Sequence, residues 1–144
     1  MSKSEKEEFK MAIGAPTNDV RTYLCGMGTF VGGSRELLVH PLPIYRQKDY
    51  PNYQTRKTGP YVVTLFNSGL RISATAEKLV FPKFADAVSF AEAISPFFAL
   101  YGLPVSSTDP RTVLEKARDL KEQVFDPMKK LAETHGAVFI QPQK

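Results

Sequence analysis

Between residues 20 and 81 the chain reads as short strand-forming runs separated by turn chemistry, with connections mostly too short for right-handed parallel crossovers. That confines this half of the molecule to a largely antiparallel sheet. The runs are 20–31, 36–40, 61–66, 70–75 and 78–81, rich in Val, Ile, Leu, Thr, Tyr and Phe. Gly32-Gly33 supplies the tight turn of a hairpin between the first two. Asn67-Ser68-Gly69 turns the chain between the third and fourth. In the fourth run Leu70, Ile72 and Ala74 alternate with Arg71, Ser73 and Thr75, which sets Arg71 on the face away from the core.

After Pro82 the period changes. Residues 84–101 place alanines, Val88, Phe90, Ile94, Phe97, Phe98 and Leu100 over most of a helix surface. A helix apolar nearly all round is buried, in the core or in an oligomer interface. Pro96 is expected to kink it and Gly102 to end it. Asp109-Pro110 is a helix start, an N-cap followed by proline at the first helical position. Val113, Ala117, Leu120, Val124, Met128 and Leu131 then recur at helical spacing, and Asp126-Pro127 repeats the start signal, predicting a kink or break. Gly136 closes the helix and 137–140 form a last strand. The sum is an α+β single domain over 1–144: a curved antiparallel sheet or partial barrel of five to six strands, with two main helices packed on one side. Residues 1–19 read as a flexible arm with at most a short helix around 5–11, residues 41–60 as a proline-punctuated loop without regular structure, and 141–144 as a loose tail.

The chemistry that the chain lacks narrows its function. One cysteine, Cys25, forms no intramolecular disulfide, and the N-terminal residues have no apolar leader. The longest uncharged stretch, 93–108, is too short for a bilayer and is broken by Pro96, Gly102 and Pro104. A cytoplasmic protein with no membrane segment is expected. His40 and His135 stand outside any metal-ligand spacing, and Cys25 reads as a small buried strand residue. Gly26, Gly28, Gly32 and Gly33 lack the Gly-Lys-Ser/Thr ending of a phosphate loop and fit close backbone approach instead. The carboxylates of 110–134 alternate with Lys and Arg, as on a solvated helix face. No catalytic residue, metal or cofactor is expected; the chain does not read as an enzyme.

Charge supplies the positive signal. The net charge is only +4, with a pI near 9.2. Residues 21–83 hold nine Lys/Arg and three Asp/Glu, a balance of +6 against −2 for the rest. Four of the six tyrosines fall between 45 and 61, with Arg46, Lys48, Arg56 and Lys57 opposed by Asp49 alone. Single-stranded nucleic acid presents a phosphate charge and a stackable base face along its length, and a basic groove with interleaved aromatics answers both. On this reading Arg46, Lys48, Arg56 and Lys57 neutralise phosphates and Tyr45, Tyr50 and Tyr53 stack bases, while Tyr61 starts a strand and belongs to the core. Arg21, Arg35 and Arg71 extend the basic surface if they share its side. No basic recognition helix for duplex DNA is visible. Single-stranded DNA is the first choice and RNA the second. Tyr and Arg are also hot-spot residues of protein interfaces, so the competing reading is a regulator that docks on a protein partner through the same loop.

With these residues in view, the chain resembles the small single-stranded-DNA-binding proteins of bacteriophages: one compact domain, an aromatic and basic strand-and-loop region, and no catalytic signature. The likeness is carried by 45–61 with Arg21, Tyr23, Arg35 and Arg71, under half the chain. It implies a role in replication or recombination, or as a transcription cofactor, with a polymerase or similar protein as a further partner. For the competing regulator it implies a host or phage protein as the docking partner. Two features depart from the pattern: the chain ends Gln141-Pro142-Gln143-Lys144 rather than in acidic residues, and its helices follow the sheet. The second argues against a standard OB-fold, which places a helix between strands three and four. A homo-oligomer, built through the apolar helix, would give several weak grooves avidity along one strand.

Overall fold

A computed structural model describes residues 6–13, 22–31, 35–72 and 78–140. Seven strands form one curled sheet: β1 (Glu7–Ala12), β2 (Tyr23–Val31), β3 (Leu37–Pro41), β4 (Pro43–Ile44), β5 (Asn52–Thr55), β6 (Tyr61–Leu65) and β7 (Leu70–Arg71). Their order is β4-β5-β2-β3-β6-β7, with β1 paired to β2. The α+β class and the curved, half-barrel sheet are as expected. One pairing is not antiparallel: Tyr23, Leu24 and Cys25 of β2 run parallel to Asn52, Tyr53 and Gln54 of β5. The 3₁₀ turn Gln47–Asp49, between β4 and β5, lets the chain reach that edge without a helical crossover.

The sheet is covered on both faces, and β3 explains why. All five of its residues are buried. Leu37 and Val39 join Val31, Val63 and Leu65 in a large core with Ala87, Phe90, Ala91, Ile94 and Phe98 of the first helix. Leu38 points the other way, into a smaller cluster with Leu24, Phe9 and Met11. Fully burying such a Leu or Val is worth roughly 1.5–3 kcal/mol.

Helix α1 (Phe84–Tyr101) runs through Pro96 and ends at Gly102, whose left-handed φ of 75° suits glycine. Helix α2 (Pro110–Asp119) starts on the expected cap, where the Asp109 carboxylate accepts the Arg111 N–H at 3.0 Å. The long periodic run then breaks at the place the repeated start signal marks. A π-helical turn, Lys121–Phe125, leads into a third helix, α3 (Asp126–Thr134), with Pro127 in its first turn, where a missing N–H costs nothing. Strands β8 (Lys78–Val80) and β9 (Val138–Ile140) pair with each other in a separate ladder. The Tyr61–Phe81 bridge joins that ladder to β6.

Three expectations are corrected. The segment read as a flexible arm carries β1 in place of a helix: Phe9 and Met11 alternate with Glu8 and Lys10, and burial of that two-residue stripe beside β2 decides the structure. Residues 41–60 are not an irregular loop, since β4, the 3₁₀ turn and β5 fold them into a ribbon on the edge of the sheet. Pro43 is tolerated because β4 is the edge strand. Cys25 is half-buried in β2, not buried. Gly26 and Gly28 do serve close approach: a Cβ on Gly28 would stand 2.9 Å from both the Val39 carbonyl and a Leu38 methyl. The Gly32-Gly33 turn, residues 73–75 of the fourth run, Arg21, the rest of the N-terminal arm and the tail 141–144 lie outside the described residues.

Candidate nucleic-acid interface

The ribbon formed by β4 and β5 sorts its side chains by parity. Ile44 lies opposite Gln54, so Tyr45 lies opposite Tyr53 one step further along. Their rings meet edge to face at 5.2 Å, and Tyr50 meets Tyr53 the same way at 6.3 Å. The structure thus brings together the three tyrosines expected to stack bases. They differ in role. Tyr45 and Tyr50 are 59% and 42% exposed, whereas Tyr53 packs against the smaller core beneath them. Tyr53 is the support and the other two are the available rings. Desolvation raises the Tyr45 hydroxyl above its ordinary value, with Arg71 opposing and Tyr53 assisting. Tyr45 therefore stays a neutral hydrogen-bond donor at physiological pH.

Arg71 lies on this side. It lines one small recess with Tyr45, His40 and Thr64, and its strand neighbours Leu70 and Ile72 pack toward the helices. Over the described residues 70–72 the alternation brings Arg71 beside the tyrosines, and its side chain also reaches the helix-side cleft next to Leu70 and Ile72. Its partner in register is Thr64, whose hydroxyl donates to His40 Nε2 at 2.8 Å.

Ile44, Arg46, Gln54 and Arg56, of the opposite parity, border a groove of about 650 Å³ between the ribbon and β2, which Thr55 and Lys57, at and beyond the end of β5, also line. Arg46, Arg56 and Lys57 line it with Gln54, and Lys6 joins them from the start of β1. Sequence reasoning missed Lys6 because the N-terminal segment was read as an arm; the period-two run behind it was the available signal. Lys6 also stands 5.0 Å from the Phe84 ring centroid, within cation–π range. Arg46 shares its charge with Asp49, Nε to Oδ2 at 2.8 Å, while Arg56 and Lys57 are exposed. Lys48 is exposed on the 3₁₀ turn and does not line the groove.

Arg35 does not join either group. Its guanidinium is bonded to Glu7 at 2.7 Å and lies 4.0 Å from the Phe30 ring centroid, so its charge is spent on β1 and β2. Tyr61 is half-buried against Phe84, at 5.4 Å between centroids. The tyrosines and the groove-lining cations therefore lie on two sides of one thin ribbon, and Arg71 borders the tyrosine side. Among the described residues no group of three His, Cys, Asp or Glu is placed to hold a metal ion, and no helix is long and apolar enough to cross a membrane. Comparison with protein-family models, curated proteins and solved structures finds no match to this chain.

Proposed function

We propose that this protein binds single-stranded nucleic acid, DNA in preference to RNA, without catalysis and with little regard to sequence. The observation that carries the reading is the ribbon itself: two exposed tyrosines supported by a third, on a strand pair whose other side lines a groove with four cations. Exposed rings held by neighbours lose little entropy when a base stacks on them, and each stacked base is worth about 1–3 kcal/mol. The groove offers Arg56 and Lys57 as exposed charges, and Gln54 as a neutral donor. Action in replication or recombination, or as a transcription cofactor that meets a polymerase, belongs to the same proposal. So does self-association, supported by Phe97, Leu100 and Tyr101, which α1 leaves exposed.

The test is a titration of fluorescent oligo-dT at several salt concentrations, beside duplex DNA and RNA of equal length. With four phosphates neutralised, log K should fall against log salt with a slope of about −3. The single strand should bind more tightly than the duplex. Absence of binding at low salt, or a flat salt response, would overturn the proposal.

A further inference from the structure

At the β7 end of the sheet lies a cleft that the nucleic-acid reading does not use. It has a volume of about 230 Å³ and opens between the sheet edge, α2 and the π-helical turn. Its floor is Leu65, Phe98, Leu103 and Val113, all buried, with Ala117 and Phe125 half-buried at the sides. Three cations from three separate elements line the same cleft: Arg71 from β7, Arg118 from α2 and Lys121 from the π-helical turn. Among the described residues no carboxylate lines it. Lys121 shares its charge with Asp126 at 3.1 Å. Arg71 and Arg118 have no carboxylate partner among the described residues.

Long cationic side chains also edge apolar surfaces simply because their stems cover carbon while their heads stay wet. That account explains the rim but implies no preference for the charge of what enters. An apolar hole edged by two guanidinium groups that have no carboxylate partner among the described residues does imply one. We propose that the cleft binds a small anionic amphiphile, a monocarboxylate with a short aliphatic tail. The tail replaces water over Leu65, Phe98 and Val113, and the carboxylate sits between Arg71 and Arg118, whose planar forks suit it. The volume falls below the roughly 300–1,000 Å³ of drug-sized sites, so one short chain fits and a sterol or two-chain lipid does not. This inference stands apart from the nucleic-acid reading, although Arg71 borders both sites.

The experiment is a calorimetric titration of the full chain with hexanoate, octanoate, octanol and octylamine. Octanoate is expected to bind at least tenfold more tightly than octanol or octylamine. It should gain about fourfold over hexanoate for each added methylene that finds room. Arg118→Glu should erase the preference for octanoate while leaving oligo-dT affinity unchanged. Ala117→Phe should fill the cleft and abolish binding of all four. If that variant fails to fold, Leu114→Trp, at an exposed position lining the same cleft, serves the same end. Equal affinity for octanoate and octylamine overturns the proposal. So does octanoate binding that survives both the charge reversal and the filled cleft.

Discussion

His40 is an ionisable side chain buried beside the smaller core, and its protonation is tied to folding. It is 1% exposed, with its ring 5.3 Å from that of Phe9. Nδ1–H donates to the Pro41 carbonyl at 2.7 Å, and Nε2 accepts from the Thr64 hydroxyl at 2.8 Å. With the ring neutral, Nδ1 carries the proton that the Pro41 carbonyl accepts and Nε2 is left to accept from Thr64. Burial lowers its pKa from 6.5 to about 4; the Pro41 bond works against that shift and nearby Arg71 adds to it. Between those values the unfolded chain carries a proton that the folded chain does not, so stability falls as pH falls through this window. The full shift corresponds to on the order of 3 kcal/mol. His40→Gln removes the ring at a cost of about 1–3 kcal/mol at pH 7, through lost packing and altered hydrogen bonds. The gap between wild type and variant should close as the pH is lowered toward 4. Urea unfolding of both proteins at pH 7, 5.5 and 4.5 measures it, and a gap that stays constant would show that His40 does not titrate with folding.

Among the elements, β1 has the most to teach about what a sequence conceals. Its only apolar anchors are Phe9 and Met11, yet they cap Leu24 and Leu38 and complete the second face of the sheet. Phe9→Ala should therefore cost about 3–5 kcal/mol, as truncation of a buried phenylalanine does. A flexible arm would lose nothing, and the midpoint of urea unfolding separates the two. The helices were legible because their signals are local. The cap at Asp109, the left-handed glycines at 102 and 136 and the Asp126-Pro127 restart each act within a few residues. Strand β1 was not legible, since its period-two stripe is too short to stand out and its partner β2 begins eleven residues later. The ribbon was hidden for the same reason: β4 has two residues and β5 four, and β5 is tied into the sheet by pairing with β2, distant in sequence, as well as with its neighbour β4. The candidate site fared better than its scaffold. Tyr45, Tyr50 and Tyr53 do cluster, and Arg46, Arg56 and Lys57 do share a groove. That they occupy two sides of a ribbon follows from the register of β4 on β5, which no composition reveals.

At the scale of the whole molecule that segregation constrains how a strand of nucleic acid can lie. A chain that stacks on Tyr45 and Tyr50 and also meets Arg56 and Lys57 has to pass over the free edge of the ribbon, because β4 is the end strand of the sheet. Bases and phosphates are then read by different surfaces, and the two can be removed separately. Tyr45→Ala with Tyr50→Ala should weaken oligo-dT binding by about 1–3 kcal/mol per lost stack while leaving the salt slope as it was. Arg56→Ala with Lys57→Ala should flatten the slope by about 1.4, at about 0.7 per single-strand phosphate contact. All four positions are exposed or on the ribbon surface, so the fold should survive both pairs of changes. An abasic oligonucleotide sharpens the contrast: it should bind the wild type and the tyrosine variant alike, yet remain sensitive to Arg56 and Lys57. Were the tyrosine pair to change the salt slope as much as the basic pair does, the two sides of the ribbon would not be reading different parts of the strand. The path over the edge would then have to be abandoned.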